Sequence, residues 1–186
     1  MDTNPERWQE LVEEALTGNR GAFSEIVRIM MKPIIALTYR MTQNHDAAYD
    51  LAQETFLSAW DHRSEFRGES GFNSWLYKIA TNKTLNYLAS RQRTSFPADD
   101  YLSEMASETD NPENVLVKKE LRENILRFMT TLPDQQRIVF DLRFYKDMPF
   151  AEIARITGKA EGTVKTNYRE AVKKLKEFAR TKRWGQ

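Results

Sequence analysis

The chain has 186 residues, 40% of them hydrophobic and 30% charged, with a formal net charge of +1 and no cysteine. This composition is typical of a globular protein with one large or two small domains. The lack of cysteine excludes disulfides and thiolate chemistry, which fits a protein of the reducing cytoplasm. No apolar run is long enough to span a membrane, so we expect no membrane insertion, and the polar start MDTNPERWQE does not resemble a signal peptide.

The charges are segregated along the chain. Residues 46–69 carry six acids against two arginines, a net charge of −4, and residues 94–114 carry six acids with no lysine or arginine, a net charge of −6. From Leu132 onward thirteen lysines and arginines face seven acids, a net charge of +6. This distribution indicates several partners with different electrostatic demands.

Apolar residues at helical spacing predict the N-terminal core. Residues 8–16 carry one such pattern, which Gly18 and Asn19 should end. A second pattern covers residues 23–30, and Pro33 is predicted to break or kink that helix before the pattern resumes. We assign packing, and no chemistry, to these segments.

Residues 45–60 predict a third helix with two different faces. One face is apolar, while the other carries a carboxylate, an amide, a second carboxylate and a leucine at i, i+3, i+4 and i+7. Such a face suits docking on a basic, partly apolar helix of another protein, although a merely solvated face has the same pattern. Acid–base catalysis is a third possibility. We call these residues the docking stripe: Asp50, Gln53, Glu54 and Leu57.

The catalytic interpretation of the carboxylates lacks support elsewhere in the sequence. No nucleophile or phosphate-binding loop accompanies them, and the two histidines, His45 and His62, are not spaced as metal ligands. We therefore expect no enzyme activity, no metal and no cofactor.

The stretch from Phe66 to Arg93 combines an aromatic helix with a basic, amide-rich surface. Phe72, Trp75 and Leu76 begin a helical apolar pattern, and residues 70–93 carry four positive charges and no negative ones. A glycine-containing loop at residues 66–71 precedes this helix. Further along the helix, Asn82 and Asn86 place amides where the apolar pattern would otherwise continue. Aromatic and amide groups suit a single strand of nucleic acid, while a core helix with a solvated face explains the periodicity alone.

Residues 94–114 lack sustained periodicity, contain two prolines and are purely acidic, so they predict a flexible linker. Beyond it, apolar residues from Leu121 to Leu132 predict a helix, and Pro133 is expected in the first turn of the next one. We place domains at residues 1–93 and 115–186.

Residues 149–180 predict a helix-turn-helix. A short helix reaches Gly158, and a longer helix begins near Ala160 with apolar residues on one face. The opposite, basic face would enter a major groove, although a simple helical hairpin has the same pattern. Candidates for base or phosphate contacts on this face, and at the helix start, are Gly162, Thr163, Lys165, Thr166, Arg169 and Lys173.

Four segments in this order resemble the extracytoplasmic-function sigma factors of bacterial RNA polymerase. They are DLAQETFLSAW at 50–60, FRGESGFNSWLYKIATN at 66–82, LPDQQRIVFDLRF at 132–144 and EIARITGKAEGTVKTNYREA at 152–171. The resemblance covers the chain from Trp8 to about Arg180. Ala160 stands where the family often has a capping serine, and Glu170 where a basic residue is frequent, so no base preference at the minus-thirty-five element is carried over.

The resemblance implies a cytoplasmic, all-α protein of two helical domains joined by a flexible acidic linker, with the helix-turn-helix in the C-terminal domain. The docking stripe would bind a coiled coil of the polymerase's largest subunit, and the helix-turn-helix would bind the duplex minus-thirty-five element. An anti-sigma factor is a further implied partner. The implied contacts to the melted, single-stranded minus-ten element are Phe66, Arg67, Ser70, Asn73, Lys78, Asn82, Lys83 and Asn86.

A sequence-level alternative is an autonomous helix-turn-helix repressor or activator. In that protein the N-terminal helices would dimerise or bind a ligand. Neither the docking stripe nor the acidic linker helps a protein that binds DNA alone, so the sigma-factor interpretation is favoured.

Overall fold

The computed structural model describes residues 4–91 and 112–181, and the side chains of residues 112–120 are outside this description. Within these ranges all regular structure is helical, which confirms the predicted fold class. The chain divides into two compact units, the first formed by Met1–Thr94 with Arg155–Gly158 and the second by Ser95–Ala154 with Lys159–Gln186. The helices are α1 (Pro5–Leu16), α2 (Arg20–Thr42), α3 (His45–Asp61), a 3-10 turn (Arg63–Glu65), α4 (Phe72–Arg91), α5 (Pro112–Thr130), α6 (Asp134–Phe144), α7 (Phe150–Thr157) and α8 (Glu161–Thr181).

The predicted linker lies outside the described residues except for its last three positions. There the prediction of irregular structure is wrong, because α5 begins at Pro112. Proline fits the first turn of a helix, where its missing N–H has no intrahelical partner in any case. A proline in an acidic stretch therefore marked a helix start rather than the continuation of a loop.

In the first unit α2 packs against α1, α3 and α4. Asparagines set the starts of the two helices that form its centre. The Asn19 side chain accepts hydrogen bonds from Gly21 N and Ala22 N, and the Asn44 side chain accepts one from Ala47 N at 2.7 Å. Each cap satisfies backbone N–H groups that have no partner within the helix.

The expected break at Pro33 does not occur, since α2 is one helix of 23 residues that includes this proline. An internal proline costs a helix about 3 kcal/mol. Ile26 before it and Ile34 and Leu37 after it are fully buried, and burial of each such side chain contributes about 1.5–3 kcal/mol. Packing on both sides of the proline therefore outweighs its local cost.

Two buried threonines of α4 differ in hydrogen bonding. Thr84 Oγ1 donates to the Ala80 carbonyl at 2.7 Å, whereas Thr81 Oγ1 has no hydrogen-bond partner in the described structure, and both residues are 0% exposed. We expect Thr81→Val to leave the free energy of unfolding unchanged or to raise it by about 1 kcal/mol, because an unpaired buried hydroxyl is removed. The matched Thr84→Val variant should lower it by about 1 kcal/mol, because a satisfied bond is lost.

Urea denaturation followed by tryptophan fluorescence measures this difference. Three of the four tryptophans, Trp8, Trp60 and Trp75, belong to the first unit. Valine and threonine are both β-branched, so helix propensity changes little in either variant. A Thr81→Val protein that is destabilised as much as Thr84→Val would contradict the prediction.

In the second unit α6 packs on α8 around an aromatic core. Phe128 and Phe140 are fully buried and meet edge to face with ring centroids 5.5 Å apart. Leu121, expected in the apolar pattern, is instead 49% exposed. Pro133 lies at the N-cap of α6, one position before its expected place in the first turn.

Arg137 closes the end of α5. Its Nη2 donates to the Leu132 carbonyl at 3.0 Å and to the Thr130 carbonyl at 3.3 Å. Burial lowers the pKa of Arg137, and Asp134, with Oδ1 3.9 Å from Nη2, acts in the opposite direction. This charged side chain thus satisfies carbonyls that have no partner within the helix.

Candidate polymerase and nucleic-acid interfaces

The docking stripe lies on the outer face of α3. Ala48, Leu51 and Ala52 turn inward and are at most 5% exposed, which directs the other face to solvent. All four stripe residues, Asp50, Gln53, Glu54 and Leu57, are exposed, and Leu57 is 66% exposed. An apolar side chain at this exposure beside carboxylates suits a protein partner more than a solvated surface.

An apolar groove of about 420 Å³ adjoins the stripe between α2 and α3. Gln53 and Leu57 belong to both the stripe and the groove. The aromatic pair Phe23 and Trp60, with centroids 5.0 Å apart, lies in its wall. Helical spacing predicts Phe23 and Val27 as core residues only, because such spacing does not show that a buried stripe is open at one edge. The groove is lined by Arg20, Phe23, Ser24, Val27, Met31, Gln53, Phe56, Leu57 and Trp60.

The loop at residues 66–71 follows the 3-10 turn and leads into α4. Gly68 has φ of +71°, a conformation that favours glycine. Phe66 is only partly exposed, because its ring meets Phe72 and Trp75, each with centroids 5.5 Å away. Arg67 is exposed and Ser70 is partly exposed.

Phe72 also contacts the Trp8 ring of α1, at 6.3 Å between centroids. The aromatic residues of this segment therefore form a cluster that joins the loop to two helices. Phe66 contributes its ring to that cluster and leaves only part of its surface exposed to solvent.

The polar face of α4 is open to solvent. Asn73, Lys78, Asn82 and Asn86 are exposed, while Leu76 and Ala80 on the other side are fully buried. Asn82 and Asn86 therefore lie on the solvent-exposed face of α4, and their amides do not pack into the described core.

Lys83 differs from the other candidates on α4. It is partly covered, and its Nζ lies 3.4 Å from Glu54 Oε2 of the docking stripe. Two residues assigned by sequence to different surfaces are thus paired across the α3–α4 packing. Residues 29 apart give no sequence signal of such a contact.

A helix-turn-helix is formed by α7 and α8, as predicted. Gly158, with φ of +65°, ends the short helix, and α8 begins at Glu161. Val164 and Ala171 of α8 are fully buried, and the Tyr168 ring packs against Phe150 of α7 at 5.5 Å between centroids. These contacts fix which face of α8 is turned outward.

The outward face carries the predicted candidates. Gly162, Thr163, Thr166, Arg169 and Lys173 are exposed and Lys165 is partly exposed. Lys165 Nζ pairs with Glu161 Oε1 at 2.6 Å, and Thr166 Oγ1 donates to the Gly162 carbonyl at 2.9 Å. Arg169, one turn beyond Lys165, completes a line of side chains that carry hydrogen-bond donors.

Arg143, which belongs to none of the predicted sites, holds the turn between α6 and α7. Its Nη1 donates to the carbonyls of Asp147 and Met148, both at 3.0 Å, and its guanidinium lies 5.3 Å from the centre of the Phe150 ring. Asp147 has φ of +49°, so this turn contains a strained residue that the arginine stabilises. Arg143 thereby positions the first helix of the helix-turn-helix.

We expect Arg143→Met to destabilise the second unit by about 2 kcal/mol, because two charge-assisted hydrogen bonds to backbone are lost. Thermal unfolding followed by circular dichroism measures the loss. Arg127→Met is the matched control, since Arg127 is 60% exposed and pairs only loosely with Glu123 at 3.8 Å; its cost should stay below about 0.5 kcal/mol. Equal losses in both variants would contradict the assigned role.

The described part of the chain contains no group of three or more acidic or histidine side chains that could hold a metal ion. Over the same residues, no helix has both the length and the apolar character needed to cross a bilayer.

The first unit carries an exposed docking stripe and, on α4, a face of amides and lysines, and the second unit carries a helix-turn-helix. This combination is typical of a DNA-binding protein that works with a protein partner. Family comparison makes the class specific: residues 26–94 match Sigma-70 region 2 and residues 122–175 match Sigma-70 region 4. The chain belongs to the extracytoplasmic-function sigma factors of RNA polymerase, the family that directs promoter-specific transcription initiation.

Relatives cover almost the whole chain. It is 33% identical over 175 residues to the ECF RNA polymerase sigma-E factor of Escherichia coli K12, covering 88% of this chain and 91% of the relative. It is 30% identical over 181 residues to the RNA polymerase sigma-H factor of Pseudomonas aeruginosa, covering 91% and 93%. These relatives are sigma factors, which are initiation factors rather than enzymes.

Two solved structures share the fold. CnrH in complex with the cytosolic domain of CnrY aligns with a TM-score of 0.70 at 20% identity, covering 94% of this chain and 98% of that one. The sigma factor RpoE of Bartonella quintana, in complex with the anti-sigma factor NepR, aligns with a TM-score of 0.70 at 21% identity, covering 85% and 96%.

Proposed function

We propose that this sigma factor uses three separate surfaces to start transcription. The docking stripe binds the coiled coil of the polymerase's largest subunit. The loop at 66–71 and the outer face of α4 melt the minus-ten element and hold its single strand, and the helix-turn-helix binds the minus-thirty-five element as duplex. The polymerase supplies the active site and its metal.

The exposed docking stripe is the observation that carries this proposal. An exposed leucine, two carboxylates and an amide beside an open apolar groove match a basic helix with apolar side chains, such as one strand of a coiled coil. A repressor that binds DNA alone has no use for this surface.

The minus-ten surface is supported by charge and chemistry. Extruding a base costs a few kcal/mol, which stacking and hydrogen bonds must return. Phe66 offers a partly exposed ring and Asn82 an exposed amide, while Arg67 and Lys78 are exposed cations able to bind phosphates. Ser70, Asn73, Lys83 and Asn86 complete the proposed surface.

Run-off transcription tests the function. Purified chain is added to bacterial core RNA polymerase with a pool of genomic promoter fragments, and promoter-specific transcripts are expected only when both are present. Tight binding of operator DNA without core, with no initiation in any template, would favour the repressor and overturn the proposal.

We also infer an anti-sigma partner, since the family resemblance implies one. We expect the anti-sigma factor to cover the docking stripe. A protein bound there would block the surface proposed to bind polymerase and so prevent holoenzyme assembly. Competition between a candidate anti-sigma domain and core polymerase for the labelled chain tests this, and simultaneous binding of both would contradict it.

A further inference from the structure

The ion pair between Glu54 and Lys83 joins two surfaces that the proposed function keeps separate. Glu54 lies on the docking stripe of α3, and Lys83 lies on α4 among the groups proposed to meet single-stranded DNA. Their Nζ–Oε2 distance is 3.4 Å, with the Lys83 side chain 29% exposed and the Glu54 side chain 59% exposed. The carboxylate is thus open to a partner, while the ammonium is partly covered.

We propose that this pair couples polymerase docking to DNA binding. In the free chain Glu54 holds Lys83; when a basic polymerase helix engages Glu54, the lysine is released and turns to a DNA phosphate. This inference rests on the proposed function of the two surfaces.

The physical basis is competition for one carboxylate. Glu54 loses part of its attraction for Lys83 when a cation of the partner approaches, and the neighbouring Asn82 and Asn86 are exposed where the freed ammonium would reach DNA. Coupling of two binding events is reciprocal, so DNA that captures Lys83 also frees Glu54 for polymerase. Each ligand therefore strengthens the binding of the other.

The size of the coupling follows from the exposure of the pair. Exposed ion pairs contribute little, and their loss changes an equilibrium by about 1.5- to 5-fold. The effect is screened by salt. A coupling of this size changes the affinity of one binding step when the other has occurred, and it does not act as an all-or-none switch.

The proposal makes a prediction about core binding without DNA. Lys83→Met, which removes a proposed DNA contact, should tighten binding of the full chain to core polymerase by about 1.5- to 5-fold at low salt, because Glu54 no longer has an internal partner. In the Glu54→Gln background the same change should have no effect. The affinities are measured with fluorescently labelled chain and bacterial core polymerase.

Lys78→Met is the matched control, because it removes an exposed lysine from the same helix. It should change core affinity less than Lys83→Met, and equally in both backgrounds. Weaker core binding by Lys83→Met, or an equal change with and without Glu54, overturns the coupling. A wild-type chain that supports promoter-specific run-off but shows no interaction in this double-mutant cycle refutes the coupling alone; a chain that does not bind core refutes both proposals.

Discussion

We expect Glu54→Lys to weaken binding to core polymerase by about a hundredfold or more and to abolish promoter-specific run-off. The substitution reverses a charge in the middle of the docking stripe, and like charges at an interface cost several kcal/mol. The lysine would also face Lys83, so a favourable pair inside the chain becomes a repulsive one. The measurement is core affinity of the labelled chain, with thermal unfolding as a check on the fold.

Glu13→Lys is the control for this prediction. It makes the same charge reversal at an exposed position of α1, away from the docking stripe. Its core affinity should stay close to that of the wild type. Unchanged core affinity in Glu54→Lys, with an intact fold, would remove the docking stripe from the interface.

The helices and their buried faces were predictable because periodicity records local geometry directly. Apolar spacing located α1, α3, α4 and the helix-turn-helix, and the turn glycine at Gly158 marked the boundary between α7 and α8. The break allowed for at Pro33 does not occur, because a local cost of about 3 kcal/mol is outweighed by burial of residues on both sides. The prediction from periodicity was wrong at Leu121, where the apolar pattern extended beyond the residues that the second core covers.

The sequence was sufficient to predict which helix faces are exposed, but not which side chains of different helices contact each other. A helix pattern shows that Glu54 and Lys83 point away from their own apolar stripes; it contains no information that α3 and α4 bring them within 3.4 Å. Arg143 was missed for a related reason, since its role depends on carbonyls of a turn rather than on a side-chain pattern. The groove beside Leu57 likewise requires two helices whose separation the sequence does not encode locally.

Arg169→Ala should have the second large effect, on DNA recognition by the helix-turn-helix. Arg169 is exposed on the outward face of α8, one turn beyond Lys165, while Ala171 on the opposite side is fully buried. Loss of an arginine contact to a base or phosphate costs about 1–3 kcal/mol, which corresponds to about a 5- to 150-fold loss of affinity. The measurement is binding of the holoenzyme to a promoter fragment selected by run-off.

Arg180→Ala distinguishes loss of recognition from loss of general positive charge, because Arg180 is an exposed arginine three turns later on the same helix. Both variants should reduce the salt dependence of binding slightly, since each removes one cation. Only Arg169→Ala should reduce the preference for the intact minus-thirty-five element over a scrambled one, provided that Arg169 contacts a base. If Arg169→Ala weakens binding to both templates equally, and more than Arg180→Ala does, the side chain binds phosphate. Binding by Arg169→Ala that equals wild-type binding on both templates would exclude Arg169 from the interface with this element.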